Sequence, residues 1–288
     1  MRTKRKLGLF LLLTAGISAA FLVPIARKGT MSAGGGWLVA GLMWSPGIAA
    51  LVTRLLFQGD LGGVGWRWGK TRYHLLSIGV PFLVVAVTYA VAWLTGLGGV
   101  PDPAFVEEIA EQLPFEASRA QAILIYGVVS TVFGLATNAL TALGEEIGWR
   151  GLLVPEVSKL TGPIRTGLMS GIVWAVWHYP GILLADYRSD APVWYSLVCF
   201  TVMAVGLSVF MAWIRLESGS VWSAVFAHAA HNLSVQTLFT LLTADTGPTE
   251  YVIDEFGAGL ALAYAVVAFF LWNKLLSAPQ EEAPRGDR

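Results

Sequence analysis

Charged residues are scarce in this sequence. Only 13% of its 288 residues are Asp, Glu, Lys or Arg, and 55% are hydrophobic, whereas an average soluble domain carries about 25% charged residues. This composition nearly excludes a water-soluble protein. The 19 basic residues equal the 19 acidic residues in number, so no net charge attracts nucleic acid or an acidic partner. The sequence predicts a protein whose surroundings are the lipid bilayer.

Three further absences narrow the fold and the chemistry. Cys199 is the single cysteine, which excludes an intrachain disulfide and a thiolate metal cluster. No His-Glu-x-x-His zinc-protease motif occurs. The period-two alternation of a membrane barrel strand is also missing, and helices satisfy every backbone group within lipid. The sequence therefore predicts an all-α fold, a polytopic transmembrane helical bundle.

Long uncharged runs are abundant instead. A helix needs roughly 18 such residues to cross a hydrocarbon core about 30 Å thick. The first run is longer than the core of a cleaved signal peptide, which has about 7 to 15 apolar residues, so it predicts a retained helix. About eight transmembrane helices are predicted, at approximately residues 7–26, 37–53, 75–95, 120–144, 166–185, 192–214, 219–243 and 256–273.

The distribution of basic residues predicts an orientation. Lys and Arg accumulate on the cytoplasmic side of membrane proteins. With the amino terminus inside, every basic residue except Arg27, Lys28, Arg119 and Arg188 falls on the inner side. We expect both termini to be cytoplasmic, in a bacterial-type plasma membrane. Residues 1–276 are predicted to form one transmembrane domain, and residues 277–288 a short disordered tail.

Two adjacent glutamates end the fourth uncharged run. Ionisable residues at such positions are costly and are functional candidates by default. Glu146 and Arg150 are four residues apart, so they share a helix face and can pair. Glu145 is rotated about 100° away, and a partly desolvated carboxylate can act as a general base near neutral pH. Alternatively, both glutamates only mark a helix end at the headgroups, with Arg150 reaching water.

Three of the four histidines lie in later spans. His178 is flanked by aromatic residues and could hold or deprotonate water as a neutral imidazole, or simply pack with one hydrogen bond. His228 and Asn232 are four residues apart and project from one helix face. That spacing suits two donors to an oxyanion, although hydrogen bonds between helices would use it equally. His231, three residues from His228, could join this cluster or serve as a structural partner, and the second role is predicted.

Depth along the helices decides whether these groups can meet. Counted from the predicted helix starts, His178 and His228 fall in the cytoplasmic half of the membrane or at its midplane. Glu145 falls at the inner end of its helix. We therefore expect all three to share one region of the bundle.

Three motifs follow one another on successive apolar segments: Glu145-Glu146-x-x-x-Arg150, Trp174-x-x-x-His178 and His228-x-x-x-Asn232. The ordered set resembles the CPBP family of intramembrane proteases. That family includes the type II CAAX prenyl endopeptidases and bacteriocin-processing or self-immunity proteins, also called Abi proteins. The resemblance covers a core of about residues 120–243, and it implies that Glu146 and Arg150 support a hydrolytic site.

The resemblance also implies catalytic roles. Glu145 would activate the attacking water together with His178, while His228 and Asn232 would stabilise the oxyanion. Trp174 stands where phenylalanine is common in the family, which preserves an aromatic wall.

Metal dependence is left open by the sequence. Glu145, His178 and His228 could hold a catalytic zinc with one position free for water, and the family is often labelled metalloprotease. A metal-free, glutamate-dependent mechanism is also proposed for it. The predicted partner is a membrane-associated peptide or protein, prenylated or not, presented from the cytoplasmic side.

Two other function classes compete with the protease. A transporter or proton relay would also use buried Glu and His residues, although no matching halves of the chain are visible. A non-catalytic membrane immunity or scaffold protein could keep the same residues for structural hydrogen bonds.

Overall fold

The computed structural model describes residues 1–277 of the chain. Within this range the all-α prediction is confirmed, since no β-strand forms beyond a single bridge between Gly99 and Ala244. The predicted tail at 277–288 lies outside the described residues, except for residue 277. The α-helices are α1 (Arg2–Lys28), α2 (Trp37–Gln58), α3 (Thr71–Leu94), α4 (Pro103–Glu111), α5 (Arg119–Gly148), α6 (Val154–Ser158), α7 (Pro163–Leu184), α8 (Val193–Ser218), α9 (Val221–Asn232) and α10 (Ala258–Ser277).

Six helical segments of the described chain are long and apolar enough to span a membrane. They are α1, α2, α3, α5 with its continuation through α6, α7 and α8. The apolar part of α10 is shorter, at Ala258–Lys274. The predicted span at 219–243 is divided, because α9 is only about 18 Å long and passes into a π-helical segment at Leu233–Phe239. The predicted number of about eight spans is therefore not confirmed.

Local sequence signals explain where several helices begin and end. Gly29 closes α1 in the left-handed conformation at φ 69°, which glycine adopts without steric cost. Asp102 caps α4 by accepting from the Ala104 amide. Ser118 and Gln121 form a reciprocal capping box at the start of α5. These caps fix the entry of α5, the helix that carries the two glutamates.

Helices α2 and α5 touch backbone to backbone where they cross. A Cβ atom on Gly144 would lie 2.7 Å from Trp44, and one on Gly148 would lie 2.7 Å from the Pro46 backbone. Small residues permit such close approach between membrane helices. The crossing therefore holds the Glu145–Glu146 segment of α5 against α2.

Three connections meet at one end of the bundle, which we call the distal end: residues 29–36, 185–192 and 249–257. Asp186 accepts hydrogen bonds of 2.7 Å from the Met31 amide and from the Thr30 hydroxyl. The hydrogen bond from the Met31 amide has the larger effect and that from the Thr30 hydroxyl the smaller, and together they hold the pKa of Asp186 below its usual value. Tyr195 donates to the Tyr251 carbonyl in the same region. The distal end lies opposite the amino terminus of α1.

Candidate active site

A cavity of about 220 Å³ lies within the bundle. Glu145, His178, His228 and Asn232 all line it, so the fold brings together the four residues predicted to be catalytic. Beyond them the wall has an apolar part and a polar part. The apolar part includes Leu22, Met31, Val39, Leu42 and Met43, and the polar part is Tyr187, Gln236 and Glu255.

Glu145 is held by tryptophan side chains. Its Oε2 atom accepts a hydrogen bond of 2.8 Å from Trp174 Nε1 and one of 3.3 Å from Trp149 Nε1. The residue is buried, and no cation pairs with it among the described residues. Its Oε1 atom has no hydrogen bond to another described residue. That oxygen is available to a molecule in the cavity.

Glu146 has a different environment. Its Oε1 atom accepts from Arg150 Nη1 at 3.0 Å and from His228 Nδ1 at 2.9 Å. Arg150 is fully buried and also donates to the Ser208 hydroxyl at 3.0 Å. The Glu146–Arg150 pairing predicted from the spacing is present, although α5 gives way to a π-helical turn at Trp149–Leu153. The helix-end alternative does not apply, because both side chains lie inside the bundle.

The His178 ring is oriented by its own helix. Its Nδ1 atom lies 2.9 Å from the Trp174 carbonyl oxygen. A carbonyl only accepts, so Nδ1 carries the proton and Nε2 of the neutral ring has a free lone pair. The Trp174 ring packs edge-on against His178 at 5.5 Å and against His228 at 5.3 Å between centroids. One indole thus separates the two imidazoles and also holds Glu145.

His228 and Asn232 lie on the cavity side of α9. Because the Nδ1 proton of His228 is donated to a carboxylate, its Nε2 atom can donate only when the ring is an imidazolium. The buried Glu146 carboxylate favours that charged form. Asn232, at the end of α9, is buried and lines the cavity beside His228.

His231 has the structural role that its position predicted. Its Nδ1 atom is 2.9 Å from the Tyr264 hydroxyl on α10, and its Nε2 atom is 3.4 Å from Glu255 Oε1. Both contacts join α9 to the last segment of the chain. His231 does not line the cavity.

Several residues of the site were not predicted. Tyr187, Gln236 and Glu255 lie outside the three motifs, and Trp149 fills an unspecified position of the first motif, yet each lines the cavity or contacts a residue that does. In the sequence, Glu255 is recognisable only as an acidic residue between two apolar runs. Nothing local in the sequence indicates that its segment folds back over α9.

His178 lies farther along its helix than the sequence predicted. Helix α7 begins at Pro163, earlier than expected, so His178 lies roughly 22 Å along it. His228 lies only roughly 10 Å from the start of α9 at Val221. The cavity therefore extends from Glu145 and His228 towards the distal end, where Met31 forms part of its wall.

The residues suggested as zinc ligands share the cavity but do not form a ligand set. Within residues 1–277 no group of three or more His, Cys, Asp or Glu side chains is placed to hold a metal ion. His228 Nδ1 is engaged by Glu146, and one oxygen of Glu145 by two indoles. The zinc site at Glu145, His178 and His228 stays a prediction.

Comparisons with known proteins agree with the order of the motifs. Residues 126–234 match the family model "Type II CAAX prenyl endopeptidase Rce1-like". The CAAX prenyl protease 2 of Methanococcus maripaludis is 27% identical over 135 residues, which cover 45% of this chain and 47% of that protein. The chain thus spans about half the length of this curated relative.

The family match and the apolar helices together indicate an integral membrane protein. The matched segment contains all three motifs and every predicted catalytic residue. The similarity of residues 126–234 to the Rce1-like type II CAAX prenyl endopeptidases, and of the chain to a CAAX prenyl protease, supports the resemblance to the CPBP family of proteases.

Proposed function

We propose that this protein is an intramembrane endopeptidase that hydrolyses a peptide bond of a membrane-associated peptide or protein. The observation that carries the proposal is the single cavity lined by Glu145, His178, His228 and Asn232. A general base, a second proton acceptor and two oxyanion donors are the groups that peptide hydrolysis by water requires.

Glu145 and His178 activate the water. The free Oε1 atom of Glu145 and the Nε2 lone pair of His178 each accept a hydrogen bond from it. As the water oxygen bonds to the scissile carbonyl carbon, one proton passes to Glu145. The same proton then passes to the amide nitrogen as the carbon–nitrogen bond breaks, leaving a carboxylic acid and an amine.

His228 and Asn232 stabilise the tetrahedral intermediate. The imidazolium form of His228 donates from Nε2, and the Asn232 side-chain amide donates beside it. Glu146 keeps His228 protonated and is itself balanced by Arg150. This buried ionic group is fixed before substrate binds, so no charges need to reorient as the oxyanion forms.

The apolar part of the cavity wall supports a substrate with a large apolar group near the cleaved bond. Leu22 on α1 and Val39, Leu42 and Met43 on α2 offer such a group no hydrogen bonds through their side chains. A lipidated cysteine or an apolar leader sequence has this character. The relative named CAAX prenyl protease 2 favours testing prenylated peptides first.

We further propose a bacterial-type plasma membrane with both termini cytoplasmic, as the basic residues indicate. In that orientation the distal end faces away from the cytoplasm. Labelling of single cysteines at positions 159 and 186 in a Cys199→Ser background would test the orientation.

The decisive experiment is cleavage of a peptide panel by protein purified in nanodiscs. The panel contains a peptide with a prenylated cysteine, its unmodified counterpart and an apolar leader peptide, and products are identified by mass spectrometry. Each reaction is repeated with Glu145→Gln, with the matched control Glu250→Gln, and with a metal chelator. Glu250 lies at the distal end and does not line the cavity.

We expect cleavage by the wild type and by Glu250→Gln but not by Glu145→Gln. Equal cleavage by Glu145→Gln would overturn the mechanism. Loss of cleavage with the chelator, restored by zinc, would add a metal to it. If no peptide were cleaved, the transporter and immunity-protein alternatives would be favoured, and proton-flux measurements in liposomes would separate them.

A further inference from the structure

A second buried carboxylate, Glu255, lines the cavity. It lies between the turn at Thr249–Tyr251 and α10, beyond the segment that matches the protease family. Only 4% of the residue is exposed. Its Oε2 atom accepts from the Tyr187 hydroxyl at 2.6 Å, and its Oε1 atom accepts from Gln236 Nε2 at 3.1 Å. No role for Glu255 follows from the motifs or from the family match.

The surroundings of Glu255 keep it ionised. Burial acts to raise the pKa of this carboxyl, but the hydrogen bond and charge of His231 and the hydrogen bond from Tyr187 outweigh burial and hold the pKa below its ordinary value. The neighbouring Asp254 responds in the opposite direction, since burial and the charge of Glu255 raise its pKa to about 7. Glu255 is thus the carboxylate of this pair that carries the negative charge.

Tyr187 links Glu255 to the catalytic histidine. Its ring stacks on the His178 imidazole, with centroids 5.8 Å apart and planes at 29°. The edges of the Phe200 and Phe256 rings close around Tyr187 at 5.9 Å and 5.2 Å. The aromatic contacts limit the movement of the Tyr187 ring. Among the described residues, its one hydrogen bond is that of the hydroxyl to Glu255, and this bond fixes the direction of the side chain.

We propose that Glu255 is a positioning residue of the hydrolytic site, which holds Tyr187 against the His178 ring and so fixes the imidazole for its role with the attacking water. The inference rests on the proposed function, and it adds a residue from outside the family match. The hydrogen bond that His178 Nδ1 donates to the Trp174 carbonyl oxygen and the packing of Tyr187 then restrain the imidazole on two sides.

If Glu255 acts by positioning, its substitution should change turnover but not substrate binding or folding. Small displacements of an oriented catalytic group lower the rate by as much as about 100-fold, without removing any contact to the substrate. Glu255→Gln should therefore lower kcat while KM stays within about twofold. Glu255→Asp, which keeps the charge, should restore part of kcat.

A double-mutant cycle tests the link through Tyr187. Tyr187→Phe keeps the ring but removes the hydroxyl that binds Glu255. If both residues act along one chain of contacts, the double variant is no slower than Glu255→Gln alone, since coupled effects are not additive. Glu250→Gln and Tyr195→Phe are the matched controls, because they change the same residue types at the distal end outside the cavity.

Histidine NMR gives a readout that does not need a substrate. The chain has four histidines, so the ring signals of labelled protein in nanodiscs can be assigned by single substitutions. Glu255→Gln should shift the His178 signals by changing the ring current of Tyr187. His74, which packs against Trp68, should be unaffected, as should every signal in the control variants.

The outcomes distinguish this inference from the proposed function. Full kcat in Glu255→Gln, additive losses in the cycle, or unmoved His178 signals would each overturn the role of Glu255, while cleavage by the wild type would still stand. A shift of all histidine signals together with a lower unfolding temperature would also overturn the role of Glu255, because that result would show that Glu255 only stabilises the fold. Displaced His178 signals without cleavage of any peptide would support the positioning but not the protease.

Discussion

Glu145 and Glu146 are neighbours in the chain, yet their contacts predict opposite consequences for the same substitution. Glu146 lies between two buried hydrogen-bond donors, the Arg150 guanidinium at 3.0 Å and the His228 ring at 2.9 Å. Glu146→Gln keeps the shape of the side chain but leaves the fully buried Arg150 without its counter-ion. Removing one partner of a buried ion pair costs roughly 3 to 5 kcal/mol.

Glu145→Gln should cost little stability. Its contacts are two indole donors, Trp174 and Trp149, and an amide oxygen accepts from them as a carboxylate oxygen does. We expect a loss of at most about 1 kcal/mol, typical of one weakened hydrogen bond. Activity should nevertheless disappear, because an amide cannot accept the proton of the attacking water.

Thermal unfolding in a mild detergent measures the difference. For a chain of this size 1 kcal/mol corresponds to about 2 to 4 °C, so Glu146→Gln should unfold roughly 6 to 20 °C below the wild type. Glu145→Gln should unfold within about 4 °C of it. If the two variants unfolded at the same temperature, or if Glu145→Gln were the less stable, the assignment of the ionic role to Glu146 would be refuted.

Further outcomes follow from other contacts. His228→Ala and Asn232→Ala should each lower kcat by about 100- to 1000-fold, since one oxyanion donor contributes roughly 2.7 to 4 kcal/mol; peptide turnover measures this, and unchanged turnover would leave only the structural role. Burial and the charge of Glu255 raise the pKa of Asp254 from 3.8 to about 7. The Asp254 carboxyl therefore ionises at a lower pH in the unfolded chain than in the folded chain. As a result, this residue makes folding less favourable as pH rises from about 4 to 7. Asp254→Asn should therefore raise the unfolding temperature at pH 8 but not at pH 4, and equal effects at both values would contradict this. Gly144→Ala should destabilise the protein by about 1 to 3 kcal/mol, because its methyl group would lie 2.8 Å from the α2 backbone; an unchanged unfolding temperature would show that the crossing can relax.

Features of the site that depend on spacing within one helix were predictable. The Glu146–Arg150 pair and the common face of His228 and Asn232 follow from the four-residue separation, which is nearly one helical turn. Such relations hold wherever the helix lies, so no knowledge of the neighbouring helices was needed.

Features that depend on contacts between distant segments were not predictable. The hydrogen bond from Trp174 to Glu145 joins two helices, and the bond from Tyr187 to Glu255 joins two connections. In a membrane protein the faces that contact lipid and those that contact other helices are both apolar, so hydrophobicity does not reveal which helices are neighbours. The number of spans was not predictable for a similar reason. Helix α9 passes into a π-helical segment within an apolar run that the sequence shows as unbroken.

The sequence by itself determined the helical membrane fold, since lipid leaves backbone groups no partner except one another. It also determined the order of the motifs and the residue types available for hydrolysis. Only the tertiary structure decided that Glu146, and not Glu145, takes the ionic partners, and that the cavity extends towards the distal end. It also placed Glu255 in the cavity wall. The physical reason is that these outcomes depend on how closely and at what rotation the helices pack, which glycines such as Gly144 permit but do not encode locally.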